Sequence, residues 1–206
     1  MRWKLIFVPV LALFFVGAAL TAHSQVVPSA EEGKLPLTIG GGFSNFSLDW
    51  GNQNPRMSGY TLWGDWRLPR MPRALQGLGL QIEGRDINWG APSFLPGHRM
   101  VTGSGGVDYQ WRGWQRFPRV RPYAKYLIGF GGIWFPNNSS IYQHDTRTVF
   151  EPGAGVDVLA WNNVSIRGEY VYQFWPDMFG HGTLNPNGFT VGAVYDFGRR
   201  PGSSGY

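Results

Sequence analysis

Cysteine is absent from the 206 residues, and charge is scarce: Asp, Glu, Lys and Arg together make up 15% of the chain. Without a thiol there is no disulfide scaffold, no thiolate zinc site, no cysteine nucleophile and no lipid-anchored lipoprotein. A charged fraction well below the ~25% of ordinary soluble domains argues against a conventional water-facing surface. Beyond the first 25 residues no stretch sustains a helical period. The longest later apolar run, Leu127 to Phe135, carries three glycines and is too short to cross a bilayer as a helix. Glycine and aromatics are abundant instead, with 30 Gly, 14 Phe, 10 Trp and 9 Tyr. That aromatic load excludes a disordered polar chain, and the length allows one domain or two small ones.

Residues 1–24 read as a signal peptide. Arg2 and Lys4 form a basic start, Leu5 to Leu20 is almost unbroken apolar sequence, and Ala22-His23-Ser24 offers a cleavage site before Gln25. A transmembrane anchor is the competing reading, but the run falls short of the ~20 residues that span comfortably. Loss of Arg2 and Lys4 takes the net charge from +5 to +3. An exported chain follows, with a short polar linker over 25–34.

From 35 to 197 the text alternates with a period of two between clusters of Gly, Pro, Asn and Asp. Eight strands are expected, near 35–46, 57–68, 78–88, 100–111, 122–134, 146–159, 164–175 and 187–197. Evenly spaced short strands of this kind make an all-β barrel or sandwich. In the seventh, Val164, Ile166, Gly168, Tyr170, Tyr172 and Phe174 share one face, and Ser165, Arg167, Glu169, Val171 and Gln173 the other. Strands five and eight repeat the pattern.

Alternation does not say which face is inside. A soluble, lipocalin-like barrel hides its apolar face, whereas a membrane barrel turns that face to lipid. Three features favour lipid. The polar face is mostly Gly, Ser and Thr with a few charges, which suits a crowded lumen. Large aromatics gather at strand ends, with Trp66, Tyr109, Trp111, Tyr195 and Phe197 at one rim and Tyr60, Trp89, Trp134 and Phe174 at the other. The length matches eight spans of ~10 residues plus connections. The fold expected is an eight-stranded antiparallel up-and-down transmembrane β-barrel over 35–197, followed by a tail over 198–206.

An even strand count returns both ends of the barrel to the periplasm. The outward connections lie near 47–56, 89–99, 135–145 and 176–186; the inward ones are 69–77, 112–121 and 160–163. Two inward turns are basic, carrying Arg70 and Arg73, then Arg112, Arg116, Arg119 and Arg121. Attraction to anionic phospholipid headgroups explains them better than a nucleic-acid or cell-wall contact, since no aromatic-interleaved platform accompanies them.

The chain resembles the small outer-membrane β-barrel family typified by the OmpA transmembrane domain and OmpX. The resemblance is carried by Thr190-Val-Gly-Ala-Val-Tyr195-Asp-Phe197, Ile166-Arg-Gly-Glu-Tyr-Val-Tyr-Gln173, Pro122-Tyr-Ala-Lys125 and Gly153-Ala-Gly155-Val-Asp157. It implies that Thr190, Gly192, Tyr195 and Phe197 serve as an assembly signal read by barrel assembly machinery. It also implies an integral outer-membrane location amid lipid and lipopolysaccharide. Nine residues after Phe197 depart from the family pattern.

Three constellations are candidates for chemistry. Alternation places Asp65, Arg67, Glu83, Arg85, Asp108, Lys125, Glu151, Asp157, Arg167 and Glu169 in the lumen, six acids against four bases. Enclosed charge is tolerable only when paired, so these read as an internal salt-bridge network: a structural plug, or a gate on a narrow path. His98, His144 and His181 lie in three outward loops, but no ligand spacing supports a metal, and none is expected. Ser139, Ser140, His144 and Asp145 share one outward loop, with Asp177 and His181 in another. A lipid A-modifying rim enzyme would need such groups in mutual reach. The expected role is non-enzymatic and cofactor-free: a monomer with a structural, surface-interaction or narrow porin-like function, able to take a surface ligand on its outer loops.

Overall fold

Alternate residues with opposite polarity cannot form one water-soluble layer, and here the sheet resolves the conflict by closing on itself. In the computed structural model the described residues are 36–49, 54–68, 71–90, 97–111, 117, 119–134, 144–178, 180 and 182–198. The strands are β1 (Leu37–Ser47), β2 (Arg56–Arg67), β3 (Leu78–Trp89), β4 (Arg99–Gln110), β5 (Val120–Trp134), β6 (His144–Trp161), β7 (Val164–Tyr172), β8 (Trp175–Met178), β9 (Gly182–Leu184) and β10 (Asn187–Asp196). β1 to β7 and β10 form a closed antiparallel barrel, with β10 returning to pair with β1 from Thr38↔Asp196 to Ser47↔Asn187. The eight-stranded antiparallel architecture expected of the sequence is therefore the observed one. The leader and linker over 1–34, most of the tail, and Arg70, Arg112, Arg116, Ser139, Ser140 and His181 lie outside the described residues.

The pairing register sets the width of the barrel. Starting at Asp157 and stepping through Arg167, Gly192, Gly42, Thr61, Arg85, Thr102 and Gly131, the chain of partners returns to β6 at Arg147. The stagger is thus ten residues over eight strands. At a rise of ~3.3 Å and a strand spacing of ~4.8 Å it tilts the strands by roughly 40°, as in membrane barrels. A barrel this narrow is filled by its own side chains.

Ile39, Leu62, Trp66, Ile82, Phe130, Val191 and Tyr195 point outward and are exposed, while Asp65, Glu83, Arg85, Lys125, Asp157 and Arg167 point inward and are buried. A monomeric soluble protein rarely exposes a contiguous apolar patch beyond a few hundred Å²; this wall is apolar on every strand. Rings cluster at both edges. Tyr109 packs on Trp111 at 5.1 Å and Tyr195 on Phe197 at 4.8 Å near the short turns. Tyr60 packs on Trp89 at 4.5 Å, and Tyr170 on Phe189 at 4.9 Å, near the long connections.

Two expectations are corrected. The seventh strand was expected to reach 175, but β7 stops at Tyr172, where the Gln173 amide donates to Pro186 O at 2.7 Å and Phe174 bridges to Phe150. The segment 176–186, expected to be an open loop, contains most of a small hairpin, β8 with β9, turning through Asp177 (φ 53°) and Gly180 (φ 75°). This hairpin sends Trp175, Met178 and Leu184 into the mouth of the barrel. They meet Phe46, Met57, Ile87, Met100, Ile133 and Val171, all inward-facing and buried. The lumen is therefore not ionic throughout: its outer half is apolar. Gly131 makes the insertion possible, because a Cβ there would lie 2.1 Å from the Trp175 ring.

Candidate functional site: the charge network of the lumen

Below the apolar layer the inward positions carry charge in three tiers. In the tier nearest the short turns, Arg67 pairs with Asp108 and donates to Gly77 O at 3.1 Å. Gly79 leaves room for this pair; its Cβ would stand 2.6 Å from Asp108 Oδ1 and 2.9 Å from Arg67 Nη1. In the middle tier Arg167 donates to both oxygens of Asp157, at 2.7 and 2.9 Å, and to Asp65 Oδ2 at 3.0 Å. Its guanidinium is stacked between Tyr123 (4.5 Å) and Trp63 (5.1 Å), and the residue is 1% exposed. In the upper tier Lys125 bridges Glu83 and Glu169, and Arg85 pairs with Glu83 and lies 3.8 Å from Glu151.

Arg85 also sits over the Phe46 ring at 4.4 Å, so its two faces join the ionic and apolar layers. Glu151 makes a second link: it accepts from Gln173 Nε2 at 2.6 Å, and Gln173 Oε1 accepts from Trp175 Nε1 at 3.0 Å. The hairpin in the mouth is thus tied to the ionic layer through one glutamine.

Six carboxyl groups face four cations, and neutral donors supply further hydrogen bonds to the carboxyl oxygens. Thr38 donates to Asp65 (2.8 Å), Ser104 to Glu151 (2.8 Å), Gln110 to Asp157 (3.0 Å) and Tyr123 to Glu169 (2.5 Å). A carboxylate that accepts several hydrogen bonds tolerates enclosure that a bare one does not. All ten charged positions singled out by alternation are buried inside the barrel, and each has an ion-pair partner among the ten. Sequence reasoning did not find the neutral partners Tyr123, Gln173, Gln110 and Ser104, or the stacking rings Trp63 and Phe46. Their inward phase was the available signal.

The four residues of the terminal-strand motif fall on both sides of the wall. Thr190 points inward, in a chain of buried hydroxyls with Ser44 (2.7 Å), which meets Thr61 at 2.5 Å. Gly192 lies at the seam opposite Gly42; its Cβ would meet Gly41 O at 2.3 Å. Tyr195 and Phe197 point outward, and the Phe197 amide closes the seam on Leu37 O at 3.0 Å.

Of the three outer histidines, His98 and His144 are among the described residues, and both lie against Trp134. His98, expected to be a solvated loop residue, is 2% exposed and hydrogen-bonds the Trp134 backbone. Burial pushes its imidazole down to about 4. His144 stacks on Trp134 at 4.9 Å and contacts Thr146 Oγ1 at 3.2 Å, while Asp145 pairs with Arg147 at 2.9 Å. Among the described residues no group of three metal-ligating side chains occurs.

Two outcomes follow. Arg167→Met strands Asp65 and Asp157 and should cost about 3–5 kcal/mol, read as a lower urea midpoint in lipid vesicles; adding Asp157→Asn should recover part of the loss. An unchanged midpoint for Arg167→Met would show that the middle tier contributes nothing. For His98, the folded imidazole binds its proton near pH 4 and the unfolded one near 6.5, so the unfolded chain holds more protons between these values. Stability should therefore fall as pH drops from 6.5 to 4 and level off below. His98→Gln should flatten that part of the profile.

The model of the outer membrane protein beta-barrel domain family matches residues 10–197. No curated protein matches the chain. Among solved structures, neisserial surface protein A superposes with a TM-score of 0.55 at 13% identity, over 78% of this chain and 95% of that one. The attachment invasion locus protein of Yersinia pestis gives 0.46 at 18% identity, over 77% and 95%. The N-terminal barrel of Pseudomonas aeruginosa OprF gives 0.48 at 14%, over 78% and 98%. With an apolar outer wall, charges enclosed in the lumen and a family match across the whole barrel, the chain belongs to the outer membrane protein beta-barrel domain family and is an integral protein of the outer membrane.

Proposed function

We propose that the protein is a closed, non-enzymatic surface barrel: its lumen is a structural plug, and its outer connections form the interaction surface. The observation that carries this reading is the two-layer filling of the lumen. A solute would have to displace Trp175, Met178 and Leu184 and then part Arg85 from Glu83 and Arg167 from Asp157. Both layers are tied together through Gln173, so neither yields alone. A desolvated ion pair is costly to break because each partner is left uncompensated.

This weighs against the narrow porin-like alternative and leaves the four outer connections as the variable surface, held on a rigid frame. Lipid of the outer leaflet surrounds the wall, and the assembly machinery would read the terminal strand through Tyr195 and Phe197. The rim-enzyme alternative gains no support from His144 and Asp145, which are engaged with Trp134, Thr146 and Arg147.

In planar bilayers the folded protein should show no reproducible open state; a stable conductance abolished by Arg167→Ala would replace the plug with a gate. In cells with and without the protein, lipid A should carry the same acyl pattern. A changed pattern would point to the rim enzyme.

A further inference from the structure

We propose that the mouth of the barrel is a binding cup for a neutral, flat bicyclic aromatic with one ring N–H, an indole-type molecule, and that the chain's own Trp175 fills it as a built-in competitor. The inference goes beyond the surface role above and leaves the ionic plug shut.

The cup belongs to the barrel and not to what fills it. Phe46, Met57, Ile87, Met100, Ile133 and Val171 line it from β1, β2, β3, β4, β5 and β7, all strands of the closed ladder. Gly131 on β5 adds a slot without a side chain, against which the Trp175 ring packs. The acceptor at the base is equally fixed. Gln173 is 0% exposed, and its amide donates to Glu151 at 2.6 Å. That bond turns Oε1 toward the mouth, where it accepts the Trp175 indole N–H at 3.0 Å. An apolar cavity with one convergent polar group is the usual form of a small-molecule site.

The occupant is held differently. β8 and β9 form a sheet of their own, outside the barrel ladder. They pair at Trp175↔Leu184 and Met178↔Gly182, with an irregularity between. A lone two-stranded hairpin is marginally stable in water. The turn adds a cost, since Asp177 carries a side chain at φ 53°. Both ends of the hairpin meet at a narrow base. There Phe174 exchanges backbone hydrogen bonds with Phe150 at 3.0 and 2.8 Å, and the Gln173 backbone N–H donates to Pro186 O at 2.7 Å. Beyond this base the hairpin is seated by Trp175, Met178 and Leu184. It is a hinged stopper in a preformed cup.

What Trp175 satisfies defines its replacement. An entering ring must be apolar, of indole size, and carry an N–H; a ring without one leaves the enclosed Gln173 oxygen unpaired. When one N–H replaces another at Gln173, the amide keeps Glu151. The mouth then opens outward while Arg85, Glu83 and Glu151 stay in place. Because the hairpin must leave first, apparent affinity is lowered by the fraction of molecules whose mouth is open.

The test uses full-length protein in neutral phosphatidylcholine nanodiscs, with a spin label at Thr183→Cys, the single thiol in the chain. Label mobility reports release of the hairpin and not partition of the ligand into lipid. Indole should mobilise the label at a concentration roughly fivefold or more below that of benzofuran, its isostere without the N–H. Gln173→Leu should erase that preference. Trp175→Gly removes the competitor, so calorimetry should show indole binding roughly tenfold tighter than in the parent. Gly131→Ala fills the slot and should free the label without ligand while weakening indole binding; heat-modifiable migration shows whether each variant still closes its barrel. A label that stays immobile at saturating indole, or equal potency of indole and benzofuran in the parent, would overturn the cup even if no variant folds. So would a closed Trp175→Gly barrel that binds indole no better than the parent.

Discussion

Backbone closure is the constraint on which everything else in this protein depends. Hydrocarbon offers no partner to a free N–H or C=O, so a sheet can enter a bilayer only if its first and last strands pair. β1 and β10 do so over ten residue pairs, and the close approach at Gly42 and Gly192 leaves no room for side chains at that seam. Closure with a stagger of ten then decides the diameter, and the diameter decides that the interior must be filled by side chains rather than water.

The filling solves a charge problem in an unusual proportion. Six acids and four bases could not coexist in a dry volume as isolated pairs. They coexist because Arg167 serves two carboxylates, Lys125 serves two more, and hydroxyl and amide donors reach further carboxylate oxygens, with Asp65 Oδ1 and Asp108 Oδ1 left without a hydrogen bond among the described residues. The aromatic faces of Trp63, Tyr123 and Phe46 then meet the guanidinium planes, so the cations are also packed as flat objects. Above them the lumen turns apolar. Gln173 holds the indole of Trp175 with its oxygen and the carboxylate of Glu151 with its amide, and with Arg85 over the Phe46 ring it joins the two chemistries.

Much of this was legible in the chain before any coordinates. The period of two in Val164–Gln173 placed Arg167 and Glu169 on the same face, and that phase carried through to every charged inward position. The scarcity of charge and the aromatics at strand ends turned the barrel inside out. The mouth hairpin was not legible: Trp175, Pro176 and Asp177 read as the end of a strand and the start of a loop, because nothing local says that the chain folds back into its own barrel. His98 misled for the same reason, since a histidine flanked by Gly97 and Arg99 has the local signature of a solvated turn, yet it is buried against the backbone of Trp134.

Alternation, composition and turn residues by themselves determined the number of barrel strands, the side of the wall each residue faces, and that the wall meets lipid, because these depend only on local backbone geometry and on transfer between water and hydrocarbon. Which charge meets which, and what closes the mouth, was decided only by the tertiary structure. Partners such as Asp65 and Arg167 are 102 residues apart. They come into reach only when stagger and closure fix the angle between strands, and no property of either segment alone contains that angle.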